Sequence, residues 1–82
     1  MVKISYLPLF ERIFRKIKDN RLKEKILKQL EKIRENPEIG KPMRFDRKGT
    51  REIYIQPFRL AYIYTKPQEE IIIVDFYHKD EQ

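Results

Sequence analysis

The chain has no cysteine and a single histidine among its 82 residues. Without thiols it can form neither a disulfide framework nor a thiolate metal site, and one imidazole is too few for a zinc cluster. Long apolar runs are missing as well. The longest is Ile71-Ile72-Ile73-Val74, against the roughly 20 apolar residues of a membrane-spanning helix. The amino terminus lacks the apolar stretch of a signal peptide. Glycine is scarce, and neither a Gly-rich phosphate loop nor a nucleophile elbow is present. Glu52, Glu69, Glu70 and Asp75 fall at no metal-binding spacing. These absences predict a soluble, cytoplasmic protein with no metal, no cofactor and no membrane partner.

The length predicts one domain, residues 1–82, and 40% hydrophobic residues suffice for one modest core. Charge is the first functional hint. Nineteen Lys and Arg against thirteen Asp and Glu give +6, unevenly spread: residues 1–51 hold 16 basic and 7 acidic groups, residues 52–82 hold 3 and 6. A basic surface concentrates polyanions and favours nucleic acid, ribosome or an acidic protein. The blander alternative is a solvated, Lys-rich helical face.

Apolar and polar residues alternate over Val2–Tyr6, as in a half-buried strand. Pro8 then suits the first helical position, and Phe10, Ile13, Phe14 and Ile17 fall on one helical stripe. Asp19-Asn20 supplies a turn and an N-cap for a second helix with Leu22, Ile26, Leu27, Leu30 and Ile33 inward, which Asn36-Pro37 stops. Gly40, Pro42 and Gly49 punctuate a basic connection that includes a short strand at Met43-Arg44-Phe45. Arg51–Ile55 and Phe58–Tyr64 read as strands separated by Gln56-Pro57, and Ile71–Tyr77 as a central strand buried on both faces. The predicted fold is α+β, in the order β-α-α-β-β-β. The N-terminal strand and a helical hairpin pack on one face of a small, mostly antiparallel sheet.

The open face is expected to gather Arg47, Lys48, Arg51, Arg59, Tyr77, His78 and Lys79. A planar guanidinium at Arg59 suits a phosphate, or else an ion pair with Asp75 or another carboxylate. His78 is the one side chain that takes and gives protons near neutrality, although a lone His near a terminus is more often an ordinary surface residue. Tyr54, Tyr62 and Tyr64 are packing aromatics, one of which has the option of stacking a base.

Gly40-Lys41-Pro42-Met43-Arg44, Lys48-Gly49-Thr50-Arg51-Glu52-Ile53, Phe58-Arg59-Leu60-Ala61-Tyr62 and Ile73-Val74-Asp75-Phe76-Tyr77-His78-Lys79, in this order, resemble the RelE/ParE superfamily of type II toxins over nearly the whole chain. The resemblance implies a toxin neutralised by a cognate antitoxin and held as a monomer within a toxin–antitoxin hetero-oligomer. It implies, in the RelE-like branches, ribosome-dependent mRNA cleavage by attack of a ribose 2′-hydroxyl on the adjacent phosphate, without metal. Carried over by motif, Arg59, His78 and Arg51 are the catalytic candidates. Arg44, Arg47, Lys48, Tyr77 and Lys79 would bind RNA or ribosome. Thr50 and Glu52 stand where the RelE branch has lysines, and Met43 where YoeB-like toxins have a catalytic Glu. The general base is therefore His78 or Glu52. Gly49-Thr50-Arg51-Glu52 is also similar to ParE-type toxins, which poison DNA gyrase and are not nucleases. The order of expectation is mRNA interferase, gyrase inhibitor, inactive antitoxin-binding relative.

Overall fold

The computed structural model describes residues 2–44 and 48–81. Phe45 and Arg47 lie outside the described residues. The elements are β1 (Lys3–Tyr6), α1 (Pro8–Lys16), α2 (Asn20–Glu35), β2 (Lys41–Pro42), β3 (Arg51–Ile55), β4 (Phe58–Thr65), β5 (Glu70–His78) and a closing 3-10 turn, Lys79–Glu81. The sheet order is β1-β5-β4-β3-β2, with β1 parallel to β5 and the other pairs antiparallel. This is the α+β architecture expected. The short strand falls on Lys41–Pro42, just before the expected Met43-Arg44-Phe45, whose last residue lies outside the described residues, and Met43 continues it with one bond, its N–H donating to the Thr50 carbonyl at 2.9 Å.

Local chemistry sets the helix ends. Pro8 opens α1, where its missing N–H costs no hydrogen bond. Asp19 caps α2, its carboxylate accepting from the N–H groups of Arg21 and Leu22 at 2.9 and 3.4 Å. Lys32 and Arg34 lie in the last turn of α2, where cations oppose the helix dipole. Phe10, Ile26, Leu30 and Ile33 meet Ile55, Leu60, Tyr62, Ile71, Ile73 and Phe76 in one buried cluster. Burying each large side chain is worth about 1.5–3 kcal/mol. Leu27, predicted inward, is exposed.

The β3–β4 hairpin closes through Gln56 and Pro57, so Ile55 faces Phe58, Tyr54 faces Arg59, Glu52 faces Ala61 and Arg51 faces Tyr62. Between β4 and β5 the register jumps: Tyr62 pairs with Ile73 but Ala61 with Asp75. Val74 is therefore the extra residue of a β-bulge, and every residue after it changes faces relative to an unbroken strand. Ile71, Ile73 and Phe76 consequently all point into the core.

Tyr62 ties the end of α2 to the sheet. Its fully buried phenol donates to the Pro37 carbonyl and accepts the Gly40 N–H, each at 2.8 Å. Burial pushes the hydroxyl above the usual tyrosine range, opposed by the Gly40 N–H and the Arg51 charge and reinforced by Glu38. The proton is thus held more tightly in the folded than in the unfolded chain. Stability from this group is complete below about pH 10 and falls as pH rises toward the folded pKa. In an ultraviolet alkaline titration, one tyrosine should ionise late, coincident with unfolding. That late step should vanish in Tyr62→Phe, and its persistence there would reassign it.

Candidate functional site

Arg59 and Tyr77 are cross-strand partners on the sheet face away from the helices, with Glu52 two positions along β3 from Arg59's partner Tyr54. The Glu52 side chain is 5% exposed and that of Arg59 34%. Arg59 Nη1 lies 3.6 Å from Glu52 Oε1, a charge contact longer than a hydrogen bond. The Tyr77 hydroxyl donates to Glu52 Oε2. A buried carboxylate is thus gripped by a tyrosine and placed beside a half-exposed guanidinium, which orients the guanidinium and lowers the cost of burying the acid. Arg59 Nε is buried with no hydrogen-bond partner among the described residues. The expected alternative partner Asp75 instead accepts the Phe76 N–H at 2.8 Å.

Arg59 and Glu52 line a groove of about 620 Å³ together with Lys41, Met43, Tyr54 and Lys79. Among the described residues its cations are Arg59, Lys41 and Lys79, and its exposed aromatic is Tyr54, 51% exposed. The arrangement suits an anionic ligand with a flat apolar part.

The other sequence candidates are distributed elsewhere. Arg51 is on the helix side of β3, donating through Nη1 to the carbonyls of Glu38 and Gly40 at 3.0 and 2.8 Å. It staples the segment after α2 to the sheet and is not in the groove. His78 is also carried to the helix side by the bulge. Its ring meets Phe58 edge-on, with centroids 5.5 Å apart, and Phe58 stacks on the buried Phe76. His78 Nδ1 accepts the Asp80 N–H at 3.1 Å and lies 3.6 Å from Asp80 Oδ2. The first contact needs a bare Nδ1 and the second is an ion pair only when Nδ1 is protonated, so the neutral ring carries its proton on Nε2. Arg44 and Lys48 are exposed on the β2–β3 connection, Arg44 beside Lys41 and Met43. Of the expected open-face set, the structure brings together Arg59, Tyr77 and Lys79; Arg51 and His78 are not on that face.

The sequence reads Tyr54 as one of three packing aromatics, any one of which has the option of stacking a base, and gives Lys41 no role. The signal for Tyr54 was present: counting outward from Gln56-Pro57 pairs it with Arg59 in a tight hairpin.

A family model described as the ParE toxin of the type II toxin–antitoxin system parDE matches residues 4–82. No curated protein sequence matches the chain. Among solved structures, the fold is similar to a chain of the Mycobacterium tuberculosis RelBE2 toxin–antitoxin complex, with TM-score 0.83 at 19% identity, covering 95% of this chain and 98% of that one. It is similar to a chain of the intact E. coli RelBE toxin–antitoxin complex, with TM-score 0.81 at 15% identity, covering 95% and 96%. It is also similar to the YoeB/ParE toxin from Agrobacterium tumefaciens, with TM-score 0.78 at 17% identity, covering 94% and 98%.

Proposed function

From the premise that the chain belongs to the ParE toxin family of type II toxin–antitoxin systems, within the RelE/ParE superfamily, we propose that it is a toxin that cleaves mRNA on the ribosome. The observation that carries this is the Arg59 guanidinium set on a buried Glu52 carboxylate within a basic, tyrosine-bearing groove. Cleavage forms a bond from the ribose 2′-oxygen to phosphorus and breaks the bond from phosphorus to the 5′-oxygen. The hydroxyl proton leaves, a proton arrives on the 5′-oxygen, and the product is a 2′,3′-cyclic phosphate. Arg59 meets the charge that builds on the phosphate, and Lys41 and Lys79 hold the flanking backbone.

Glu52 is sheathed by Tyr77 and Arg59, which fits an orienting role better than that of a base. His78, one-third exposed at the end of β5, lies on the opposite face of the sheet from Arg59 and meets Phe58, so it is given no part in the proton transfer. His78→Ala should therefore leave cleavage within a few-fold of wild type in the primer-extension assay. A loss on the order of 10²-fold would return His78 to the phosphate.

A cognate antitoxin is the proposed protein partner, since two of the similar folds were solved as toxin–antitoxin complexes. Its seat is the apolar groove of about 330 Å³ lined by Tyr6, Phe10, Phe14, Leu27 and Leu30, which takes an amphipathic segment. The family description favours a second reading, inhibition of DNA gyrase without cleavage. Primer extension on a reporter mRNA, with translating ribosomes and with naked RNA, tests the proposal. Cuts confined to the ribosome lanes support it. No cuts, with loss of supercoiling in a gyrase assay, would replace it with the second reading.

A further inference from the structure

Tyr54 is a strand residue with half its surface in solvent, on the face that carries Arg59 and at the position paired with it. Among the described residues its ring stacks on no other aromatic ring. The ring lines the same groove as the Arg59 guanidinium, where its face is placed to meet a flat part of a ligand whose charge the guanidinium holds. Directly paired strand residues hold their Cβ atoms about 5 Å apart, within the span of one nucleotide from base to phosphate. Lys41 and Lys79 add positive charge to the same groove, and Glu52 fixes Arg59 from below at 3.6 Å.

From this juxtaposition we infer that Tyr54 and Arg59 form a one-nucleotide subsite for single-stranded RNA, Tyr54 stacking the base and Arg59 holding its phosphate. The inference rests on the groove being the RNA surface of the proposed function. An acidic peptide would also answer the cations, but it has no systematic use for an outward ring, whereas every base offers a π-face.

The test is fluorescence anisotropy of a short, fluorescein-labelled single-stranded RNA and of the same ribose–phosphate chain without bases. Tyr54→Ala should weaken binding of the RNA about 10- to 100-fold and leave the abasic chain's affinity unchanged, while Tyr54→Phe keeps wild-type affinity for both. Arg59→Ala should weaken both alike. Equal loss on both ligands in Tyr54→Ala, no loss on either, absence of RNA binding by the wild type, or displacement of the RNA only by an acidic peptide would each overturn the subsite. Running the ribosome cleavage assay on the same preparations separates the two claims. Cleavage by the wild type, with no loss in Tyr54→Ala that is confined to the base-bearing RNA, removes the subsite and keeps the proposed function; an RNA-specific loss in Tyr54→Ala without cleavage by the wild type does the reverse.

Discussion

An Arg59→Ala variant should lose mRNA cleavage on the order of 10³-fold, the scale of removing a principal group from a transition-state charge site. The side chain is the one guanidinium in the groove among the described residues, and Glu52 holds it there. Arg59→Lys should recover little, because an ammonium lacks the planar fork that meets two phosphate oxygens together. Stability must be separated from function. Removing the cation beside a 5% exposed carboxylate costs up to about 3–5 kcal/mol for a fully buried pair, and less here because Arg59 is one-third exposed. The double variant Arg59→Ala/Glu52→Gln removes the buried charge together with its partner. It should melt closer to wild type while staying inactive. Wild-type cleavage by that double variant, measured by primer extension with translating ribosomes, would remove Arg59 from the site.

The largest loss of stability is expected at Gly40. A Cβ there would lie 2.6 Å from the Tyr62 hydroxyl oxygen, 2.7 Å from Cε1 and 2.9 Å from Cζ, all inside the distance at which real Cβ atoms pack. The ring has no room to retreat, being fully buried and bonded at its hydroxyl to Pro37 and Gly40. Overpacking of about 1–3 kcal/mol adds to the loss of one or two hydrogen bonds of about 1 kcal/mol each. Gly40→Ala should therefore lower Tm by roughly 10–20 °C for a domain of this size. Gly49 is the internal control. It sits at φ +98° with nothing within 4 Å of an added Cβ, so Gly49→Ala carries only the backbone cost of about 1 kcal/mol. Adding Tyr62→Leu to Gly40→Ala should recover part of the loss. Thermal melts in which Gly40→Ala is no worse than Gly49→Ala would show that the close contact relaxes at little cost.

Gly40 and its neighbour in the fold, Arg51, illustrate what was readable in the chain. Gly40 and Arg51 lie within the segments that resemble RelE/ParE toxins, and the resemblance gives Arg51 a catalytic role. In the fold it donates to the carbonyls of Glu38 and Gly40 and holds the same segment that Tyr62 holds. A hydrogen-bonded staple and a phosphate clamp use the same guanidinium donors, and residue type does not distinguish them. Glu52 shows the converse. As a sequence letter it was a departure from the lysines of RelE-like toxins, and only the hairpin pairing reveals it as Arg59's carboxylate in place of Asp75.

The sequence by itself determined the elements and their order. Apolar spacing placed Phe10, Ile26, Leu30 and Ile33 inward, Pro8 and Asp19 began the helices, and the apolar run at Ile71–Val74 marked a central strand. These are local properties of period and capping, written within a few residues of where they act. The tertiary structure alone decided which side chains share the open face. Unbroken alternation from the Thr65–Glu70 pair would set His78 on the face of Arg59. The bulge at Val74 shifts the register by one, bringing Tyr77 opposite Arg59 and turning His78 to Phe58. An extra residue in one strand is invisible to a period-2 pattern, because its position depends on how two strands twist and pack against the helices, not on either strand's own sequence.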